Sequence, residues 1–269
     1  MTSPAPPAHS VKLRVRRAQD GPVRVALVGK GGAGKSMIAG TLARLLARRG
    51  RNVLAVDLDA NPGLQYSLGL GDEIEAGLAD EAVEEHEGST YGWRLAGGMT
   101  PQDAVERFSL TAPDGVRYLS IGKIHEDDQR RPRRSISAVR ALLRDFNDPE
   151  WDIIGDLEAG TTTPFERYHS FADRVLLVVN PAHSSALAGR RILPLVDDVP
   201  VAVVANRWNG GPDHEGFAAI TRIPFDAEAG AAEHAGLAPL DRCPDSPAIG
   251  AIDDLVEVLL APTTEGEPR

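Results

Sequence analysis

Cysteine is nearly absent: the 269-residue chain has one, Cys243. A single thiol excludes an intramolecular disulfide and a multi-cysteine metal cage within one chain, and it fits a reducing cytoplasmic compartment. Basic residues are also in deficit, 29 Lys and Arg against 39 Asp and Glu, for a formal net charge of −10. As a whole, such a molecule repels phosphate backbones and anionic lipid surfaces, which argues against broad nucleic-acid or membrane binding. Long apolar runs are missing as well. None would span a bilayer, and the opening M-T-S-P-A-P-P-A-H-S lacks the apolar stretch of a signal peptide. No internal repeat stands out.

What is present is a series of short apolar, β-branched runs separated by helix-length segments. The runs are Val23–Gly29, Asn52–Asp59, Val116–Gly122, Trp151–Glu158, Arg174–Asn180, Val199–Asn206 and Ile220–Phe225. This alternation predicts an α/β fold, a mostly parallel sheet of about seven or eight strands flanked by helices. Lys35–Arg49 sets Ile38, Leu42, Leu45 and Leu46 on one face and ends on Arg48, Arg49 and Gly50, the pattern of an amphipathic helix with a basic last turn. One domain over residues 21–261 is expected. Residues 1–20 read as a loose arm with the option of a strand at Val11–Val15, and 262–269 as a disordered tail. The acidic, glycine-rich stretch 71–112 suggests short helices near Asp80–Glu85 and Pro101–Phe108.

Gly29–Ser36, G-K-G-G-A-G-K-S, matches G-x-x-x-x-G-K-[ST] in full and lies between a predicted strand and a predicted helix. In that setting the backbone from Gly31 through Gly32, Ala33, Gly34, Lys35 and Ser36 to Met37 cradles phosphates. Lys35 reaches the outer phosphoryl oxygens and Ser36 ligates Mg²⁺. Lys30 is unnecessary to that cradle, and by itself reads as a solvated surface lysine. Asp57 and Asp59, in V-D-L-D-A-N-P-G, end the second predicted strand, on the edge where ligands of open α/β sheets collect. Either could instead cap the following turn. Asp156 in W-D-I-I-G-D-L-E-A-G follows an apolar run, as a carboxylate holding Mg²⁺ through water must. Gly160 could swing a backbone N–H toward the last phosphate. Asn206, ending V-A-V-V-A-N, is a turn former or an amide able to read a base edge.

These motifs together resemble the deviant Walker ATPases of the MinD/ParA/nitrogenase-iron-protein class, and K-G-G-A-G-K-S with D-L-E-A-G is most similar to the CooC-type maturation ATPases of carbon monoxide dehydrogenase. The resemblance covers most of residues 23–260, up to the closing D-S-P-A-I-G-A-I-D-D-L. It implies Mg-ATP as cofactor, a homodimer bridged by ATP, and a protein client. Lys30 would act in trans on the partner's nucleotide, Asp59 would position the attacking water, and Asp57 would support the Mg²⁺ shell. Asn206, Pro224 and Phe225 would line the base. A ParA/MinD-like positioning ATPase on DNA or membrane is the alternative, and a small-molecule ligase or kinase of the same fold a third. One departure stands out: the C-x-C of the CooC type is missing, and the corresponding region reads I-G-K-I-H-E-D-D-Q-R-R-P-R-R. His125, Glu126, Asp127 and Asp128 could hold a harder ion or form a solvated loop. Arg130, Arg131, Arg133 and Arg134 could dock an acidic partner or form a merely solvated loop.

Overall fold

The computed structural model describes residues 21–59, 61–72, 80–88, 93–121, 131–214 and 216–261. The chain runs β1 (Arg24–Gly29), α1 (Lys35–Arg48), β2 (Asn52–Leu58), α2 (Leu64–Leu68), β3 (Val83–Glu85), β4 (Trp93–Leu95), α3 (Pro101–Phe108), β5 (Leu110–Thr111) and β6 (Arg117–Ser120). It continues with α4 (Arg131–Asp145), β7 (Trp151–Leu157), α5 (Thr162–Phe165), β8 (Arg174–Val179), α6 (His183–Ile192), β9 (Val201–Trp208) and β10 (Ala219–Pro224). Three helices close it: α7 (Ala227–His234), α8 (Pro239–Arg242) and α9 (Pro247–Leu260).

Eight strands form one sheet in the order β10-β9-β8-β1-β7-β2-β6-β5. All neighbours are parallel except β5, which runs antiparallel to β6. The central strands are buried on both faces, which is why they read as continuous apolar runs. Val25, Leu27, Val53 and Ala55 face α1, α2 and α9, while Ala26, Val28, Leu54 and Val56 face the layer of α3, α4 and α6. Crossover helices on both sides leave the C-terminal ends of β1, β2 and β7 side by side at one edge.

Polar contacts fix this frame. Arg44 of α1 is 2% exposed and holds Asp241 of α8 through two bonds of 2.6 and 2.7 Å, and Asp114 through one of 2.7 Å. At the opposite edge of the sheet, buried Asp152 accepts from the Val23 backbone N–H at 2.6 Å and from Arg51 Nη2 at 2.7 Å, tying together the starts of β1, β2 and β7.

The seven expected strands are all present, with ends displaced by a residue or two; Val199–Asn206 is in fact Val201–Trp208. Pro101–Phe108 is helical, capped reciprocally by Thr100 and Asp103. Asp80–Glu85 is not a helix. A single 3₁₀ turn at Asp80–Ala82 leads into β3, which pairs antiparallel with β4, burying Val83 and setting the Glu84 carboxylate on Arg94 and the Gly97 N–H. The arginine run is also corrected in part. Arg131 opens α4, which buries Val139, Leu142 and Leu143 against the sheet, so tertiary packing draws the run into a helix rather than a loop. Arg130, His125–Asp128, Val11–Val15 and the rest of 1–20, and the tail 262–269 lie outside the described residues.

Candidate nucleotide site

The loop between β1 and α1 is shaped by its glycines. Gly34 sits at the N-cap of α1 with φ +96°, and a Cβ there would stand 2.1 Å from Asn206 Nδ2. Only glycine fits that combination of backbone and contact. Asn206, 2% exposed at the end of β9, donates from Nδ2 to the Ala33 carbonyl at 2.8 Å, while its Oδ1 accepts the Arg207 N–H at 2.9 Å. The amide thus pins the loop, and each end keeps one further hydrogen-bonding valence for a ligand. The first turn of α1 has no acidic side chain, so its free N–H groups and positive dipole end are left for an anion.

The two lysines of this loop have opposite environments. Lys35 is 7% exposed, its charge beside Asp156; Lys30 lies exposed on the lip. Ser36 stands beside Asp156, and it packs so closely to the turn after β2 that a Cβ on Gly63 would come within 3.3 Å of Ser36 Oγ.

Three carboxylates converge there. Asp156 is the register partner of Leu27 on one side and of Asp57 on the other. Its Oδ1 is buried with no hydrogen-bond partner. Burial pushes its proton affinity up, opposed by Lys35 and Ser36 and reinforced by Asp59. Burial, then the Asp156 charge, raises Asp57 as well, despite three backbone N–H donors. Those donors are Asp59 to Oδ1 and Gly63 and Leu64 to Oδ2, each at 3.0 Å. Asp57 therefore does cap the following turn, as one reading of the sequence had it. Asp59, half-buried, closes its own turn by accepting the Asn61 N–H at 2.8 Å.

An orphaned carboxylate oxygen, a serine hydroxyl beside the same carboxylate and a second buried aspartate form an all-oxygen donor set that suits Mg²⁺. Gly160 turns with φ +100° and donates its N–H to the Gly29 carbonyl at 3.1 Å, so this segment rests on the phosphate loop. Glu158, raised by burial and by Asp59, stands at the same edge.

Beside the loop, a cavity of about 280 Å³ is lined by Met37, Asn206, Pro224 and the 65%-exposed Phe225. Asn206, Pro224 and Phe225 are the residues expected to meet a base. Sequence reasoning missed its charged wall of Arg207, Asp226, Glu233 and His234. Arg207 Nη2 approaches Glu233 Oε2 at 3.7 Å from a backbone with φ +54°, a conformation that no sequence motif marked.

Several known proteins are similar to this chain. The carbon monoxide dehydrogenase accessory protein CooC of Rhodospirillum rubrum is 27% identical over 82% of this chain and 91% of that protein. The septum site-determining protein MinD of Helicobacter pylori is 28% identical over 89% and 80%. In fold, the chain resembles MinD from Pyrococcus horikoshii, solved with Mg-ADP, at TM-score 0.66 and 19% identity over 88% of this chain and 96% of that one. The ParA family ATPase of Chlorobium tepidum superposes with TM-score 0.64 at 18% identity, over 87% and 98%. Residues 25–222 match the CobQ/CobB/MinD/ParA nucleotide binding domain, and the chain belongs to that family.

Proposed function

We propose that this chain is an ATP hydrolase that closes into a homodimer on Mg-ATP and opens after hydrolysis, and that the cycle acts on a protein client. The contrast between the two loop lysines carries this reading. Buried Lys35 has the setting of a cation serving its own nucleotide, whereas exposed Lys30 meets no anion among the described residues and is free to act on something docked against the loop. A second copy brings such an anion, its own bound ATP, and Lys30 then supplies charge in trans. Ser36, Asp57 and Asp156 would hold Mg²⁺, which when bound neutralises phosphoryl charge. Asp59, at the mouth of the site, orients the attacking water.

The maturation or accessory role draws support from the similarity to CooC, named an accessory protein of carbon monoxide dehydrogenase. Metal handling by thiolates is not part of the reading. Cys243 is buried, its Sγ bonded to the Pro239 carbonyl at 3.3 Å, and burial raises the thiol further from its metal-binding form.

The MinD relatives favour a second reading, a positioning ATPase on membrane or DNA. Against it, α9 spends its apolar face on the core through Ile249, Ile252, Leu255, Val256 and Leu259, and Asp253, Asp254 and Glu257 make its polar face acidic. Among the described residues no helix is long and apolar enough to cross a membrane. Sedimentation with Mg-ATP or Mg-ADP, alone and with anionic vesicles or duplex DNA, tests both readings. A dimer in Mg-ATP only, not carried down by either surface, is expected; ATP-dependent co-sedimentation would favour the second reading.

A further inference from the structure

Tyr118 is fully buried and among the largest side chains of the core, yet its hydroxyl has no hydrogen-bond partner. The β2–β6 register explains where that hydroxyl lies. Tyr118 pairs with Ala55 and Ser120 with Asp57, so residues 55, 57, 118 and 120 share one face of the sheet. The tyrosine ring fills the core beneath the site, and its hydroxyl stands beside Asp57 and Ser120 without a hydrogen bond of good geometry to either. A phenol carries its proton at neutral pH, so this hydroxyl is a donor. Phenylalanine would fill the same volume without burying an unsatisfied polar group.

A buried donor without an acceptor, next to a carboxylate proposed to face a metal shell, has one use that its position supports. We infer that Tyr118 is a positioning residue for Asp57: with Mg-nucleotide bound, its O–H donates to the Asp57 carboxylate and fixes the orientation that this carboxylate presents to the metal. This rests on the reading of Asp57 as part of the Mg²⁺ site. The three backbone N–H groups already on Asp57 come from the turn of residues 59–64 and move with it. Tyr118 approaches from β6 instead, anchored in the sheet, and so gives the carboxylate a reference independent of that turn.

The test is Tyr118→Phe, with Asp57→Asn and the double variant, measured by titrating Mg²⁺ into the ADP complex and by thermal unfolding. In Tyr118→Phe, Mg²⁺ affinity should fall about tenfold, as for other groups that orient a metal's ligands. ADP affinity without Mg²⁺ should not change, and the metal-free melting temperature should hold or rise because an unsatisfied hydroxyl is gone. Added to Asp57→Asn, the phenylalanine should weaken Mg²⁺ no further. If Asp57→Asn weakens Mg²⁺ and Tyr118→Phe does not, the inference fails and the site stands. A lower melting temperature with equal losses in every affinity would make Tyr118 a packing residue. Full Mg²⁺ affinity in Asp57→Asn would remove Asp57 from the metal site, and the inference with it.

Discussion

Asp57 and Asp156 are direct partners across the β2–β7 ladder, buried at 0% and 2% exposure, and the Asp156 charge disfavours ionisation of Asp57. Both are pushed above the ordinary carboxylate value of 3.8, by burial first. A raised carboxylate binds its proton longer in the folded than in the unfolded chain, so stability falls as pH rises from about 4 through the folded-state values. A divalent cation between them would reverse that cost.

Without metal or nucleotide, Asp156→Asn should therefore be more stable than the parent at pH 8, by about 1–2 kcal/mol, because it removes one of two repelling buried charges. The gain should shrink toward pH 5, and Mg-ADP should stabilise the variant far less than the parent. Thermal unfolding across that pH range decides it. A destabilised variant at pH 8 would mean that Lys35 and Ser36 fully compensate the Asp156 charge.

Lys35→Ala and Lys30→Ala should fail differently. The first removes the buried cation of the loop and leaves Asp156 without its neighbour, so ATP binding measured by calorimetry should be lost. The second removes only an exposed charge and should keep ATP affinity within about twofold, since the surface change disturbs no contact among the described residues. It should nevertheless lose ATP-dependent dimerisation and turnover. Wild-type turnover in Lys30→Ala would return that lysine to the solvated surface.

Much of this was legible in the sequence, for identifiable reasons. The glycine loop, Asp57 and Asp156 lie within single motifs, and strands buried on both faces announce themselves as apolar runs. The bond from Asn206 to Ala33 joins residues 173 positions apart and could not be read locally. The same holds for Arg44 with Asp114 and Asp241, where ordinary helix and turn charges become a network around a buried arginine only after folding. Asp80–Glu85 was misjudged because β3 is three residues long and is specified by its partner β4 rather than by its own period. Nothing in the sequence marks Tyr118, because its place beside Asp57 comes only from the β2–β6 register.

Asn206→Ala offers a test of the pinned loop. Losing the bond to Ala33 should loosen the cradle, weakening ATP binding about tenfold, the equivalent of roughly 1.4 kcal/mol and within the range for one buried hydrogen bond. Tripolyphosphate, which has no base, should be weakened as well. Unchanged tripolyphosphate affinity beside weaker ATP would assign Asn206 to base recognition alone.

Asp59→Ala should separate binding from chemistry. Asp59 is half-buried at the site's mouth, and its side chain accepts the Asn61 N–H, so its loss leaves the glycine cradle, Lys35, Ser36, Asp156 and the capped Asp57 in place. Nothing in that set weakens ground-state contacts to ATP. The attacking water, however, loses its orienting carboxylate, and removal of such a group typically slows a reaction by ~10²–10⁴. If closure requires ATP and opening requires hydrolysis, the variant must accumulate as an ATP-bound dimer, with Lys30 of each copy still available to the other. Light scattering with Mg-ATP and a steady-state phosphate assay read the two halves of the claim separately. A variant that binds ATP but stays monomeric would show that ATP does not drive closure, and a dimer that hydrolyses at the parent rate would take Asp59 out of the mechanism.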